Sequence, residues 1–171
     1  MSTISIKKIS ITDLEADAIV NAANRYLQAG SGVCGAIFAA AGYEELQAAC
    51  DRIGGCNTGS AVITPGFKAK AKFIIHAVGP IWCGGGEREP EHLYGAYKRS
   101  LELAVENGCR SIGFPLISAG IYGYPVDQAW DVAISACRDF LNRNPEVDID
   151  IIFAVLDERI LDLGNKTLAI K

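Results

Sequence analysis

Residues 18–42 read AIVNAANRYLQAGSGVCGAIFAAAG. A short apolar run, Ala18-Ile19-Val20, ends in Asn21-Ala22-Ala23-Asn24. A loop carrying Gly30, Ser31 and Gly32 follows, and a small-residue helix begins near Val33. A strand that leads through a glycine-bearing loop into a helix leaves the first backbone N–H groups of that helix unpaired, which is the geometry of an anion site. Two carboxamides, Asn21 and Asn24, sit at the strand's exit, where open α/β sheets take their ligands. The segment therefore asks for a strand–helix fold. It also suggests a phosphate-bearing ligand whose sugar polar groups could handle.

The rest of the chain keeps the alternation. Residues 4–11 alternate apolar and polar as a strand does, and 17–20 form a short buried one. Helices are expected at 32–41 and 44–53, separated by Gly42, and β-branched strands at 60–64 and 73–78. In 91–107 the stripe Leu93, Tyr97, Leu101, Ala104 and Val105 marks a helix that Asn107-Gly108 ends. A strand at 111–114, a helix at 126–142 opened by Pro125, a strand at 148–156 and a short helix at 159–163 complete the order. Strands separated by helices predict an α/β chain with a sheet covered on both faces. The close spacing of the two strands between residues 60 and 78 predicts some antiparallel pairing, hence a mixed sheet. One domain over 1–171 is the expectation for this length.

Composition narrows the classes. Half the residues are hydrophobic and 21% are charged, the balance of a folded globule. A net charge of −4 argues against a nucleic-acid partner, which usually needs a basic footprint. No stretch approaches the ~20 apolar residues that span a membrane, and the opening MSTISIKKIS has no signal-peptide core. Cytoplasm and a monomer are the expectations. The cysteines Cys34, Cys50, Cys56, Cys83, Cys109 and Cys137 form no CxxC pair, so free thiols are expected, with no metal and no cofactor.

A second glycine-rich loop, Ser118-Ala119-Gly120-Ile121-Tyr122-Gly123-Tyr124-Pro125, also leaves a strand and enters a helix. Two such loops could grip a diphosphate from both sides, with Tyr122 as an aromatic lid for a sugar. Neither the Rossmann G-x-G-x-x-G fingerprint nor the P-loop G-x-x-x-x-G-K-[ST] is present.

VNAAN, GSGVCGAI, FIIHAVGPIW and FPLISAGIYGYP, in that order, closely resemble the macrodomain family, and most of all its MacroD-like class. The likeness covers roughly residues 4–157. It implies a three-layer α/β/α sandwich on a mixed, mostly parallel sheet that binds ADP-ribose or an ADP-ribosylated protein. Many members hydrolyse mono-ADP-ribosyl groups or deacetylate O-acetyl-ADP-ribose. By this resemblance Asn24 contacts the distal ribose and matters to catalysis, whereas Asn21 braces the loop. Ala22 is taken as a ligand-binding residue, Gly32, Val33 and Gly35 match the first diphosphate loop, and Ser118, Ala119, Gly120, Ile121, Tyr122 and Gly123 match the second. Tyr122 and Gly123 would close over the distal ribose. Ile11 matches a residue whose backbone lies by the adenine. His76, in the strand motif, reads as structural.

Three departures stand out. Ser10 replaces the aspartate that accepts a hydrogen bond from the adenine amino group. Leu156 stands where an aromatic usually stacks on the adenine. Cys34 and Phe38 replace an aspartate and a histidine, the aspartate being the group proposed to activate water. The implied chemistry is then a hydrolysis with Asn24, Cys34, Tyr122 and Gly123 as the catalytic set, in which Asn24 fixes the distal ribose, Tyr122 and Gly123 close over it, and the water is held between a ligand phosphate and the glycine-rich loop backbone. The alternative is a non-catalytic module that binds or senses ADP-ribose or a related nucleotide.

Overall fold

The computed structural model of the protein describes residues 1–170. The chain runs β1 (Thr3–Lys8), β2 (Ala18–Ala22), α1 (Gly32–Ala41), α2 (Tyr43–Ile53), β3 (Ala61–Pro65), β4 (Phe73–Ala77), α3 (Glu89–Glu106), β5 (Ser111–Phe114), α4 (Val126–Arg143), β6 (Asp150–Val155) and α5 (Glu158–Ile170). The six strands make one sheet in the order β1-β6-β5-β2-β4-β3. All neighbours are parallel except β3, which pairs antiparallel with β4 at the edge and ends in Pro65. Proline cannot donate to a ladder, so an edge is where a sheet tolerates it.

Strand periodicity sorts the core into two layers. Ala18 and Val20 of β2 face α3 and α4, together with Ile75, Ala77, Phe114 and Phe153. Ile19 and Ile74 face α1 and α2, against Ile37, Phe38, Leu46 and Cys50. The result is the α/β/α sandwich that the alternation and the resemblance predict, with α1 and α2 on one face and α3, α4 and α5 on the other.

β2 and β5 lie side by side and run the same way, yet the helix after β2 goes to one face and the helix after β5 to the other. A crevice must open beyond their carboxyl ends, because the two connections part there.

Two expectations are corrected. The first strand stops at Lys8, not at residue 11. The chain turns instead, with Asp13 N–H on the Ser10 carbonyl (2.9 Å) and Leu14 N–H on that of Ile11 (3.4 Å). The last helix runs from Glu158 to Ile170 rather than over 159–163; only Lys171 lies outside the described residues. Asp157 caps it, its Oδ1 accepting from Arg159 N–H (2.8 Å) and Ile160 N–H (3.1 Å). Ile160, Leu161, Leu163 and Leu168 then pack on the core. Trp130 Nε1–H donates to the Ile160 carbonyl at 3.0 Å.

Gly164, one residue past the expected end of that helix, lies inside α5 as a close-approach residue: a Cβ there would meet the Trp130 ring at 2.6 Å and Ile6 Cδ1 at 2.7 Å. Gly164→Ala should therefore destabilise the protein by about 1–3 kcal/mol through overpacking. That is the reverse of the ~1 kcal/mol gain this change brings in an open helix, and urea unfolding of the two proteins checks the sign.

Candidate functional site

The loop after β2 is wound by its own side chains. Asn24 Oδ1 accepts from Tyr26 N–H and Gln28 N–H (both 3.1 Å), and Asn24 Nδ2 donates one proton to the Gln28 carbonyl (3.0 Å). The second amide proton of Asn24 has no partner among the described residues. Gln47 of α2 ties the loop from beneath, accepting Ala29 N–H (3.0 Å) and donating to the Leu27 carbonyl (3.1 Å). Gly35 allows the loop to rest on α1, since a Cβ there would stand 2.7 Å from the Gly30 carbonyl oxygen.

α1 then begins at Gly32 with no side-chain cap on Ser31 and no acidic residue in its first turn. Its first N–H groups are left for a partner from outside, and they carry the positive end of the helix dipole.

The loop after β5 faces it. Ile117 N–H donates to Tyr97 Oη (2.9 Å), Tyr124 N–H to the Ser118 carbonyl (2.9 Å) and Gly123 N–H to that of Gly120 (3.0 Å). Ser118 holds a left-handed backbone at φ 68°, and its buried Oγ has no partner. Such a conformation costs a non-glycine residue about 1–3 kcal/mol and is kept where the surroundings impose it.

Between the loops lies a cleft of about 430 Å³ lined by Ala22, Asn24, Gly30, Ser31, Gly32, Val33, Cys34, Pro115, Leu116, Ser118, Gly120, Ile121 and Tyr122. That is the size of a small-molecule site, and none of the lining residues is charged.

Nine residues expected in the site thus line one cleft: Ala22, Asn24, Gly32, Val33, Cys34, Ser118, Gly120, Ile121 and Tyr122. Gly35 and Ala119 lie behind it, against Gly30 and packed on the core respectively, and Gly123 makes the turn at φ 74°. Ser10, Ile11 and Leu156 are off the lining. Ser10 Oγ pairs with Thr12 Oγ1 (3.0 Å), Ile11 is buried in the core, and Leu156 is 69% exposed just past β6. Phe38 points into the core against Tyr43, so its replacement of a histidine does not touch the cleft. Pro115 and Leu116 were missed, although their place directly after β5 could have signalled them.

Beneath the site lies a buried polar chain. Asn21, expected to brace the loop, braces the sheet interior: its Nδ2 donates to His76 Nδ1 (3.1 Å), which makes Nε2 the protonated ring nitrogen. Nε2 in turn meets Thr64 Oγ1 at 3.0 Å. Burial holds the His76 pKa down at about 4.

The match to the Macro domain family spans residues 20–133, and the chain belongs to that family. It is 51% identical over 173 residues to the O-acetyl-ADP-ribose deacetylase of Salmonella typhimurium, covering 98% of this chain and 94% of that one. Its structure matches the Oceanobacillus iheyensis macrodomain with ADP at a TM-score of 0.90, with 37% identity over 96% of this chain and 89% of that chain. It also matches the Trypanosoma brucei macrodomain in complex with ADP-ribose at 0.87, with 39% identity over 95% and 68%.

The His76 pKa has a consequence for stability. A neutral histidine kept below its ordinary pKa of 6.5 takes no proton in the native state where the unfolded chain does. Stability is then full above pH 6.5 and falls as the pH drops to about 4, by about 3 kcal/mol in all. His76→Asn should be less stable at pH 7, yet lose about one proton's worth of slope in that window, as urea titrations at several pH values would record.

Proposed function

We propose that the protein binds ADP-ribose in this cleft and hydrolyses it from an ester, either of a mono-ADP-ribosylated protein or of O-acetyl-ADP-ribose. The observation that carries the reading is the pair of glycine-bearing loops facing each other across an uncharged cleft, one of them the uncapped start of α1. With no lysine or arginine in the lining, a diphosphate would be held by backbone N–H groups and the helix dipole. The relatives support the ligand and the reaction class: one is named an O-acetyl-ADP-ribose deacetylase, and another was solved with ADP-ribose.

In this reading the free amide proton of Asn24 goes to the distal ribose, and Tyr122 and Ile121 cover it from the opposite loop. The adenine would extend beyond the cleft toward Ser10, Ile11 and Leu156, at the adjacent ends of β1 and β6. No carboxylate or imidazole lines the cleft, so the attacking water would be held by a ligand phosphate oxygen and loop backbone. General-base help contributes ~10²–10⁴-fold, and positioning contributes comparable factors, so hydrolysis without it remains chemically reasonable. The unit that does this is one macrodomain over residues 1–171, acting as a monomer in the cytoplasm.

A second reading is favoured by Cys34, a thiol only 7% exposed whose Sγ leans on the Gln28 carbonyl at 3.8 Å. A non-catalytic ADP-ribose reader would tolerate it. Calorimetry with ADP-ribose and single-turnover assays on both esters separate the two. Hydrolysis is expected above an Asn24→Ala background. Cys34→Asp should raise the rate by up to the ~10²-fold that the lower end of general-base catalysis supplies. Binding without product in every variant selects the reader, and no binding at millimolar ADP-ribose rejects both.

A further inference from the structure

The segment between β4 and α3 passes beside the second glycine loop, and it is built around one carboxylate. Glu89 is only 1% exposed. Its Oε2 accepts the N–H groups of Cys83 and Gly85 (both 2.9 Å), and its Oε1 accepts that of Glu87 (2.6 Å). Among the described residues it has no ion-pair partner. The chain closes over it by left-handed turns at Gly84, Gly85 and Arg88 (φ 87°, 92° and 61°). This is the inverse of a nest holding a foreign anion: the anion is the protein's own. Burial would push its carboxyl up, but the surrounding backbone N–H groups, its own included, outweigh that and hold it at about 2.

This wound segment touches the cleft loop at two points. Trp82 N–H, one residue before the first of Glu89's partners, donates to the Tyr122 carbonyl at 2.8 Å. The Trp82 indole packs on Tyr124 with ring centroids 4.7 Å apart. Tyr124 N–H in turn returns to the Ser118 carbonyl. Trp82 therefore grips the loop near both the residue that lines the cleft and the residue that closes the turn.

A glutamate at the first position of a helix is ordinarily a minor complement to the dipole. Such a residue would stay in water. This one gives up its hydration to order a loop that α3 does not need.

We infer that Glu89 is a positioning residue for the ligand cleft: its buried carboxylate shapes residues 83–88, they fix Trp82, and Trp82 holds the 118–124 loop in its binding form before any ligand arrives. The consequence for ligand rests on the ADP-ribose reading above, but the loop ordering does not.

Glu89→Gln tests it, since the amide keeps the size but turns one acceptor into a donor facing N–H groups. Hydrogen exchange at Trp82, Gly123 and Tyr124 should quicken by about tenfold relative to β4 amides. ADP-ribose affinity should weaken about tenfold, while adenosine monophosphate, which lacks the distal phosphate and ribose, changes less than about twofold. Tyr94→Phe, which removes a hydrogen bond to Asp139 from the same helix, serves as the control and should leave that ratio unchanged. Unaltered exchange in the 118–124 loop, or equal loss for both nucleotides, overturns the inference. Should Glu89→Gln not fold, Trp82→Leu decides by the same two readouts. Should the wild type bind no ADP-ribose, the functional reading fails, and the exchange measurement alone judges Glu89.

Discussion

The parallel pairing of β2 with β5 is the contact from which the rest of the molecule follows. Ala18 lies opposite Ile112 and Ile19 opposite Gly113, so two strands far apart in sequence end on the same edge of the sheet. Because their helices leave to opposite faces, the loops cannot pack on each other and a crevice remains. Everything chemically distinctive lies in or around that gap: the uncapped α1, the strained Ser118 and the side chain of Asn24.

Such a gap is useful only if its walls stand still without a ligand, and each wall has its own support. The first loop is tied by Asn24 from within and by Gln47 from α2. The second is held by Tyr97 Oη from α3 and by Trp82 from the segment that Glu89 organises. Beneath both, the Asn21–His76–Thr64 chain links β2, β4 and β3 with polar contacts that resist slippage of the short strands. Buried polar contacts of this kind specify a register in a way that apolar contacts alone do not, although the Asn21 Oδ1 at the end of the chain is left without a partner.

The sequence made much of this legible because the relevant signals are local. α1 begins and ends where the small-residue pattern predicts, and the glycines of both loops announce backbone approach. What escaped depends on distant partners. The helix expected to end at residue 163 runs on through Gly164, where Trp130 and Ile6 lie beside it. Residues 9–11 continue a strand pattern, but after Ile9 N–H donates to the Val155 carbonyl (3.0 Å) β6 has ended and the chain turns. Glu89 looks like any acidic residue at a helix start, since only the fold reveals that three backbone donors converge on it. Asn24 was singled out for a ligand, while most of its hydrogen-bonding capacity is spent on its own loop.

The uncharged lining of the cleft has a further meaning. A site that neutralises phosphate with lysines or arginines draws its ligand through a long-range field, and dissolved ions screen that field. A site that uses fixed backbone dipoles acts only at short range, within about the first turn of the helix. Recognition here would owe little to long-range steering. It would rest instead on the shape that the two facing loops demand of whatever enters.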